Sequence, residues 1–301
     1  MQADAAAAVL LLDKPLHLSS QAVVTAVKKH YGASKAGHTG SLDPLASGLL
    51  PICLGQATKF AQFWLAEAKH YEVGITLGVT TTTGDAEGAV LVTRPWQDVT
   101  QAALMAALQQ LRGPILQTPP MYSALKLQGR PLYALARRGE TVARAARPVT
   151  IHALDCLAWE GARVRLRVHC SKGTYVRVLA EDLGELLGCG AHVHELRRAG
   201  VGSWTLDQAI SLTALRELSR QESLCYLHPV DILVQHWPAL SVTTEMARLL
   251  AQGRILPHLN PPGWWRVYHD ATFLGIAEIT ADGLLAPRRW MTCATVAEAV
   301  E

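Results

Sequence analysis

The sequence predicts a protein of the α+β class, with a core of mixed helices and strands. A small β-rich C-terminal domain is predicted to follow this core. Strand-like and amphipathic helical segments are mixed along the chain without a regular βαβ alternation, and no internal repeat interrupts them. The composition of the chain changes near "VQHWPALSV", and a length of 301 residues fits about two domains. We therefore expect one domain over residues 1–236 and a second over 237–301.

The N-terminal part is predicted to contain two strands and two helices. The apolar run "AVLLLDKP" is typical of a buried strand, and apolar residues at helical spacing behind serine caps predict a helix over 20–29. The β-branched and aromatic residues of "HYEVGITLGVTTTTGDAEG" predict a strand that ends in a Gly-Asp turn. The segment "DVTQAALMAALQQLRG" predicts a helix that Thr100 caps and Gly113 stops.

The middle of the chain is predicted to hold an inserted arm, a strand and a helix. The arm covers about 117–147, with prolines at its ends and short basic helical patterns between them. In "ARVRLRVHC" three arginines alternate with apolar residues, which indicates a strand with one buried face. A turn and a helix follow in "SKGTYVRVLAEDLGELLG".

The C-terminal domain is predicted to be built mainly of short strands. After Trp237 and Pro238, the segment "TTEMARLLAQGRIL" predicts a short capped helix that ends at Gly253. The rest of the segment predicts several strands with turns at 269–270 and 282–283.

The composition is that of an ordinary globular protein, with 50% hydrophobic and 18% charged residues. The N-terminus lacks the basic region of a signal peptide, and no run reaches the roughly 18 apolar residues of a membrane helix. We expect a soluble cytoplasmic protein without membrane contact. The six cysteines are scattered and form no Cys-x-x-Cys pair, so we interpret them as reduced core residues. His192 and His194 lack a third partner, which favours a structural role and predicts no metal site.

The net charge of +3 is too small to identify a nucleic-acid-binding protein, but the basic residues are clustered. In the arm they alternate with Tyr122, Tyr133 and small residues, as on a surface that contacts RNA. A solvated charged face is the alternative interpretation of such a cluster.

The stretch "GHTGSLDPLASGLLPICLGQATKF" places Asp43 in a glycine-rich turn ahead of an apolar run. In the simplest interpretation Asp43 caps a helix that begins at Pro44, and the glycines only supply backbone freedom. Alternatively, this turn presents a reactive carboxylate, because functional residues are often placed on loops of a rigid scaffold.

Four motifs together resemble the TruB family of stand-alone synthases that form pseudouridine 55 in the T arm of tRNA. They are the stretch around Asp43, "HYEVGITLG", "PPMYSALKLQGRPLYALAR" and "KGTYVRVLAEDLGELLGCGAHVHELRR". The motifs span about 9–198 in the family's order and spacing, and the C-terminal segment resembles the small PUA-like RNA-binding domain of bacterial members. The resemblance implies a core built on a central mixed, largely antiparallel sheet that helices and loops flank.

The resemblance also assigns roles to individual residues. Asp43 matches the essential carboxylate, Arg177 the arginine that pairs with it, and Tyr71 the tyrosine that stacks on the target base. The resemblance implies RNA-binding or pocket positions for a further set: His38, Tyr175, Leu196, Lys59 and Asp85. Lys126 and Arg130 of the arm are expected to contact RNA. Ser41 and Ser47 stand where the family usually has threonine, and each keeps the hydroxyl group.

The chemistry implied by the resemblance needs a carboxylate close to the sugar. Breaking the bond between N1 and C1′ develops positive charge on the sugar, as in glycoside hydrolysis. The reaction is redox-neutral, and the chain contains neither a Walker-type phosphate loop nor a dinucleotide fingerprint, so we expect no cofactor. We expect the T arm of tRNA as the partner, no required protein partner, and a monomer.

Three other functions remain alternatives from the sequence. A non-catalytic protein that binds or folds RNA would not need the combination of Asp43, Tyr71 and Arg177. A guide-dependent synthase of the archaeal and eukaryotic type shares a similar aspartate motif, but the basic arm and the short C-terminal domain favour a stand-alone enzyme. A nucleoside hydrolase would have no use for the basic arm.

Overall fold

The structure, a computed structural model, describes residues 7–123, 125–127 and 129–292. In chain order, its strands are β1 Ala8–Lys14, β2 Ala36–His38, β3 Ala46–Leu54, β4 Lys69–Leu77, β5 Val79–Thr81, β6 Val90–Thr93, β7 Gly113–Gln117, β8 Lys126–Leu127, β9 Arg130–Pro131, β10 Arg147–Glu160, β11 Arg163–Cys170, β12 Ala191–Val201, β13 Trp204–Thr205, β14 Ile210–Ser211, β15 Leu227–Pro229, β16 Ala239–Ser241, β17 Leu256–Pro257, β18 Gly263–His269, β19 Thr272–Ile279 and β20 Leu284–Trp290. The α-helices are α1 Ser20–Tyr31, α2 Ala61–Trp64, α3 Gln101–Gln110, α4 Leu132–Ala136, α5 Val176–Leu186, α6 Leu212–Glu217 and α7 Thr244–Ala251.

One large mixed sheet forms the centre of the molecule. Its strand order is β14-β1-β3-β12-β4-β11-β10-β7, and β2, β13 and β15 add to β3, β12 and β1. The pairs β1–β14 and β3–β12 are parallel and the others are antiparallel. Strand β11 buries its valines and leucine and exposes its arginines, as the alternation predicted. The predicted α+β class with a largely antiparallel sheet is therefore confirmed.

The helices cover the sheet with apolar faces. Leucines of α3 and α5 pack against β4, β11 and β12 in one core cluster. Helix α1 packs Val23, Val27 and Tyr31 against β1 and β3 in a second cluster. Burial of each such aliphatic side chain contributes about 1.5–3 kcal/mol. The hydroxyl of Ser19 caps α1, which ends at Tyr31, two residues after the predicted end, with Gly32 in the left-handed conformation as its C-cap.

The arm over 117–147 connects two neighbouring strands of the sheet. Gln117 at the end of β7 is paired with Arg147 at the start of β10, so both ends of the arm meet at one place. Between them lie the short hairpin of β8 and β9 and the helix α4. The segment between these two strands is thus an excursion from the sheet edge.

A second sheet follows near the C-terminus, with the order β16-β18-β19-β20-β17. Trp264, Phe273 and Ile276 of this sheet, together with Trp237 just before it, pack against β1, β3 and the segment around Trp64. The hydroxyl of Tyr268 also donates a hydrogen bond to Asp231 at 2.5 Å. The predicted strands, the capped helix and both turns are present, while the division of the chain at residue 237 stays a prediction.

Several details differ from the sequence expectations. Asp43 and Pro44 enter a turn that leads directly into β3, so the helix start that was one interpretation of this dipeptide is not formed. Helix α3 ends at Gln110, and Gly113 is already the first residue of β7. Cys225 is exposed, which corrects the interpretation of all the cysteines as core residues.

The two histidines of β12 have structural partners. His192 is hydrogen-bonded to the carbonyl of Val79 at 2.9 Å and His194 to the hydroxyl of Thr76 at 3.0 Å. Within the described ranges, no helix is long and apolar enough to cross a membrane.

Candidate active site

The loop between β2 and β3 presents Asp43, and its neighbours fix its shape. The hydroxyl of Ser20, at the start of α1, donates to the carbonyl of Leu42 at 2.9 Å and accepts from the amide of Leu42 at 2.8 Å. The amide of Ala46 donates to the carbonyl of Asp43 at 3.0 Å, and that of His17 donates to Pro44 at 2.8 Å. The Asp43 side chain remains 44% exposed, so it is held by its backbone yet open on one side.

Arg177, in the first turn of α5, forms the ion pair that the sequence predicted. Its Nη2 lies 2.9 Å from Oδ2 of Asp43, and its side chain is only 7% exposed. The guanidinium also donates to the carbonyl of Thr83 at 2.8 Å and to that of Tyr122 at 2.7 Å. These two bonds satisfy a cation that would otherwise be costly to bury.

Asp85 is the second carboxylate beside Arg177. Its Oδ2 lies 3.5 Å from Nε of the arginine, and its side chain is 5% exposed. The hydroxyl of Thr83 donates to its Oδ1 at 2.5 Å, and the amide of Glu87 donates to the same oxygen at 3.1 Å. Asp85 therefore acts through Arg177, which it holds in position between two carboxylates.

A cavity of about 580 Å³ opens beside the exposed side of Asp43. Tyr71, Tyr175, Leu196 and Arg177 line it together with Asp43. Small-molecule sites have typical volumes of about 300–1,000 Å³, so a single nucleotide fits this space. The structure thus brings together three residues predicted as catalytic and two predicted as pocket residues.

The two tyrosines of the cavity are held in protonated form. Tyr71 is buried on β4, and burial raises the pKa of its phenol above the ordinary value. Burial likewise raises the pKa of Tyr175, whose backbone amide donates to Gln117 at 2.9 Å. Both side chains can therefore serve as neutral walls or hydrogen-bond donors at neutral pH.

A second cavity of about 610 Å³ lies on the other side of the Asp43–Arg177 pair. His38 and Asp85 line it, together with Tyr133 and Arg137 of the arm. Nδ1 of His38 accepts from the amide of Gly40 at 3.2 Å, which assigns the ring proton of the neutral form to Nε2. Burial, and then the charge of Arg198, lower the pKa of His38, so its neutral form is favoured.

Lys59 and Arg130 are not among the residues that line the two cavities. Lys59 lies at the contact with the C-terminal sheet, where it donates to the carbonyl of Trp290 at 3.0 Å and to the hydroxyl of Thr292 at 2.9 Å. Its expected place near the pocket is therefore wrong. The segment Gly55–Lys59 follows the end of β3, and it directs the Lys59 side chain toward the C-terminal sheet. Arg130 is exposed on β9 of the arm, and the side chain of Lys126 lies outside the described residues.

The sequence interpretation missed three buried cations around the same loop. Arg198 lines the first cavity and is 1% exposed, and Lys69 lines it and is 7% exposed. Lys14 is fully buried and donates to the carbonyls of Pro15 at 2.8 Å and Leu18 at 2.7 Å. Burial lowers the pKa of each lysine to about 8. For Arg198 the sequence did contain a signal. This arginine stands two residues after the predicted pocket residue Leu196, and residues at this spacing on a strand share one face.

Comparison with protein families gives matches along most of the chain. Residues 28–176 match the N-terminal domain of TruB family pseudouridylate synthases, and residues 177–235 match the C-terminal domain of tRNA pseudouridylate synthase B. Residues 238–291 match the C-terminal region of pseudouridine synthase II TruB. The chain belongs to the TruB family of pseudouridylate synthases. Its expected enzyme class is thereby confirmed.

Individual TruB relatives are similar over nearly their whole length. The tRNA pseudouridine synthase B of Aromatoleum aromaticum is 50% identical over 291 residues, which cover 96% of this chain and 94% of the relative. The enzyme of the same name from Pseudomonas putida is 50% identical over 290 residues, covering 93% and 94%. Among solved structures, a Cbf5–Nop10–Gar1 complex contains a similar chain, with a TM-score of 0.69 and 25% identity over 92% of this chain and 79% of that one.

The described residues of this TruB family member provide no group of three or more His, Cys, Asp or Glu side chains arranged to hold a metal ion. The expectation that the enzyme needs no cofactor stays a prediction.

Proposed function

We propose that this TruB family member converts the T-loop uridine at position 55 of tRNA to pseudouridine. The observation that supports this most directly is the position of Asp43. One side of its carboxylate faces a cavity of nucleotide size, and the other side is paired with a buried arginine. The names of the two relatives described above, which specify tRNA, support the choice of substrate.

Asp43 is the group that acts on the sugar in this proposal. When the bond between N1 and C1′ breaks, the sugar becomes cation-like, and a carboxylate stabilises this charge. Arg177 binds Oδ2 of Asp43, which orients the carboxylate and leaves its other oxygen available for the sugar. Addition of that oxygen to C1′ and removal of a sugar proton both require the same placement.

The walls of the cavity retain the detached uracil. Tyr71 stacks on the base, while Tyr175 and Leu196 limit its movement. The base turns until C5 faces C1′, the new carbon–carbon bond forms, and the proton on C5 is lost while N1 gains one. Every atom of the substrate is kept, so the reaction consumes no co-reactant.

The target base must first leave the folded RNA loop, which costs a few kcal/mol. Arm residues Tyr133 and Arg137 line the second cavity, beside His38, where they can contact the RNA around the extruded base. We assign residues 237–301 to a separate domain that also binds RNA. The phosphate contacts of both regions then offset the cost of base flipping.

The test is conversion of an unmodified tRNA transcript by the purified chain, with pseudouridine mapped by position. We compare the natural protein with Asp43→Asn and with Asp98→Asn, which changes an exposed aspartate in a loop. The natural protein and Asp98→Asn should convert the T-loop uridine, whereas Asp43→Asn should bind the RNA without converting it. Binding without conversion by all three proteins would contradict the proposal and favour a protein that only folds or binds RNA.

The same reaction tests the guide-dependent alternative. No guide RNA or second protein is added, so conversion by the chain alone supports a stand-alone enzyme that requires no protein partner. A transcript with cytidine in place of the T-loop uridine controls for modification elsewhere. Conversion of a different uridine with equal rate would contradict the assignment to position 55.

A further inference from the structure

Arg198 is a buried cation that the chemistry proposed above does not use. It lies on β12, where its backbone is paired with Tyr71 of β4 on one side and with Gly48 of β3 on the other. The ladder between β12 and β4 is irregular just after Arg198, at a bulge. Bulges commonly redirect a side chain, and here the guanidinium reaches the wall of the first cavity.

The guanidinium binds the loop that presents Asp43 and the strand β3 that follows this loop. It donates to the carbonyls of Gly40 at 3.0 Å and Ser41 at 3.3 Å, which precede Asp43. It also donates to the carbonyl of Leu49 at 2.7 Å, which follows Asp43. A single rigid group therefore fixes the start of the loop relative to the strand that follows it.

The same guanidinium lies close to Tyr71, which is paired with Arg198 across β12 and β4. Both side chains line the first cavity. Burial raises the pKa of the Tyr71 phenol, and the charge of Arg198 opposes this with a smaller effect. An arginine can only donate hydrogen bonds, so the guanidinium attracts the oxygen of Tyr71 and not its proton.

The partners of Arg198 are all uncharged. In the described ranges, no carboxylate lies within ion-pair distance of it, although its side chain is almost completely buried. Buried charged groups often contribute less to stability than well-packed apolar residues would. A buried arginine at this place is understandable if its donors are needed for geometry, since its planar N–H groups hold three separate carbonyls in a fixed arrangement that a lysine does not provide.

We propose that Arg198 is a positioning residue for pseudouridine formation, which fixes the Asp43 loop and the Tyr71 hydroxyl relative to each other. One group holds the carboxylate that acts on the sugar and the phenol that contacts the base. The inference rests on the proposed function, because it assigns these two roles as above. It adds that neither group keeps its place unless the guanidinium connects them.

The test measures tRNA affinity and the single-turnover rate at saturating tRNA for four proteins. They are the natural chain, Arg198→Met, Arg198→Lys and the control Arg197→Met, which removes the neighbouring arginine that pairs with Asp13 at the half-buried surface. A misplacement of about 1 Å lowers rates about 100-fold, so Arg198→Met should lose about that factor while its tRNA affinity is unchanged. Arg198→Lys should recover part of the rate, and Arg197→Met should convert at the natural rate.

A second comparison tests the connection through Tyr71 and does not depend on the folding of Arg198→Met. We expect Arg198→Lys to slow the reaction less in a Tyr71→Phe background than in the natural chain, because the phenol oxygen that it positions is absent. Equal slowing in both backgrounds, or an Arg198→Met protein that folds and converts at the natural rate, would overturn the inference. If the natural chain itself converts no T-loop uridine, the proposed function fails instead.

Discussion

The two carboxylates beside Arg177 should have different effects on stability and activity. Arg177 and Asp85 are 7% and 5% exposed, whereas Asp43 is 44% exposed. Removal of one partner of a buried ion pair costs about 3–5 kcal/mol, since the other charge remains buried. An ion pair with an exposed partner contributes only about 0–1 kcal/mol. We therefore expect Arg177→Met to lower the free energy of unfolding by about 3–5 kcal/mol and Asp43→Asn by less than about 1 kcal/mol.

The double variant Arg177→Met, Asp85→Asn separates this reasoning from a general effect of packing. Arg177→Met leaves the buried charge of Asp85 without its cation, with the hydrogen bond from Thr83 as a remaining partner. The double variant removes this charge, so it should be more stable than Arg177→Met alone. The thermal midpoint changes by about 2–4 °C per kcal/mol in a chain of this size, so the loss in Arg177→Met should be about 6–20 °C. Circular dichroism melts measure it. Equal losses in Arg177→Met and Asp43→Asn, or no recovery in the double variant, would refute the argument.

Three further predictions concern other parts of the molecule. His169 stacks on His70, and burial together with neighbouring histidines lowers the pKa of His169. The folded state therefore favours the neutral ring, so stability is lost as the pH falls below about 6.5, the pKa of an unperturbed histidine. His169→Gln should reduce this loss, which melts at pH 7.5 and 5.5 measure. Gly48→Ala should lower the melting temperature more than Gly188→Ala, because its Cβ would lie 2.3 Å from a backbone oxygen of Arg198 while both glycines have positive φ. Tryptic cleavage within 117–147 should slow when tRNA is added, and unchanged cleavage would contradict a role of the arm in RNA binding.

The sequence predicted most of the elements because their signals are local. The alternation in β11 depends only on which face is buried, and the cap at Ser19 depends on a few residues. Lys59 and Arg198 show where local signals end. The segment of Lys59 turns toward the C-terminal sheet after β3, and the burial of Arg198 results from the pairing of β12 with two distant strands. The spacing of Arg198 from Leu196 places both on one face of the strand, but neither the direction of the Lys59 segment nor the burial of Arg198 is contained in the neighbouring residues.

The position of Arg177 connects the chemistry to the arm. Its guanidinium binds Asp43, Asp85 and Thr83, and it also binds the carbonyl of Tyr122, which belongs to the arm. Any movement of the arm that shifts this carbonyl changes the set of acceptors around the arginine that orients Asp43. Both ends of the arm are fixed where β7 meets β10, and Tyr122 lies between these ends. If RNA binds the arm, as proposed above, it reaches the ion pair of the active site through this one carbonyl, so we expect capture of the substrate and alignment of the carboxylate to be coupled.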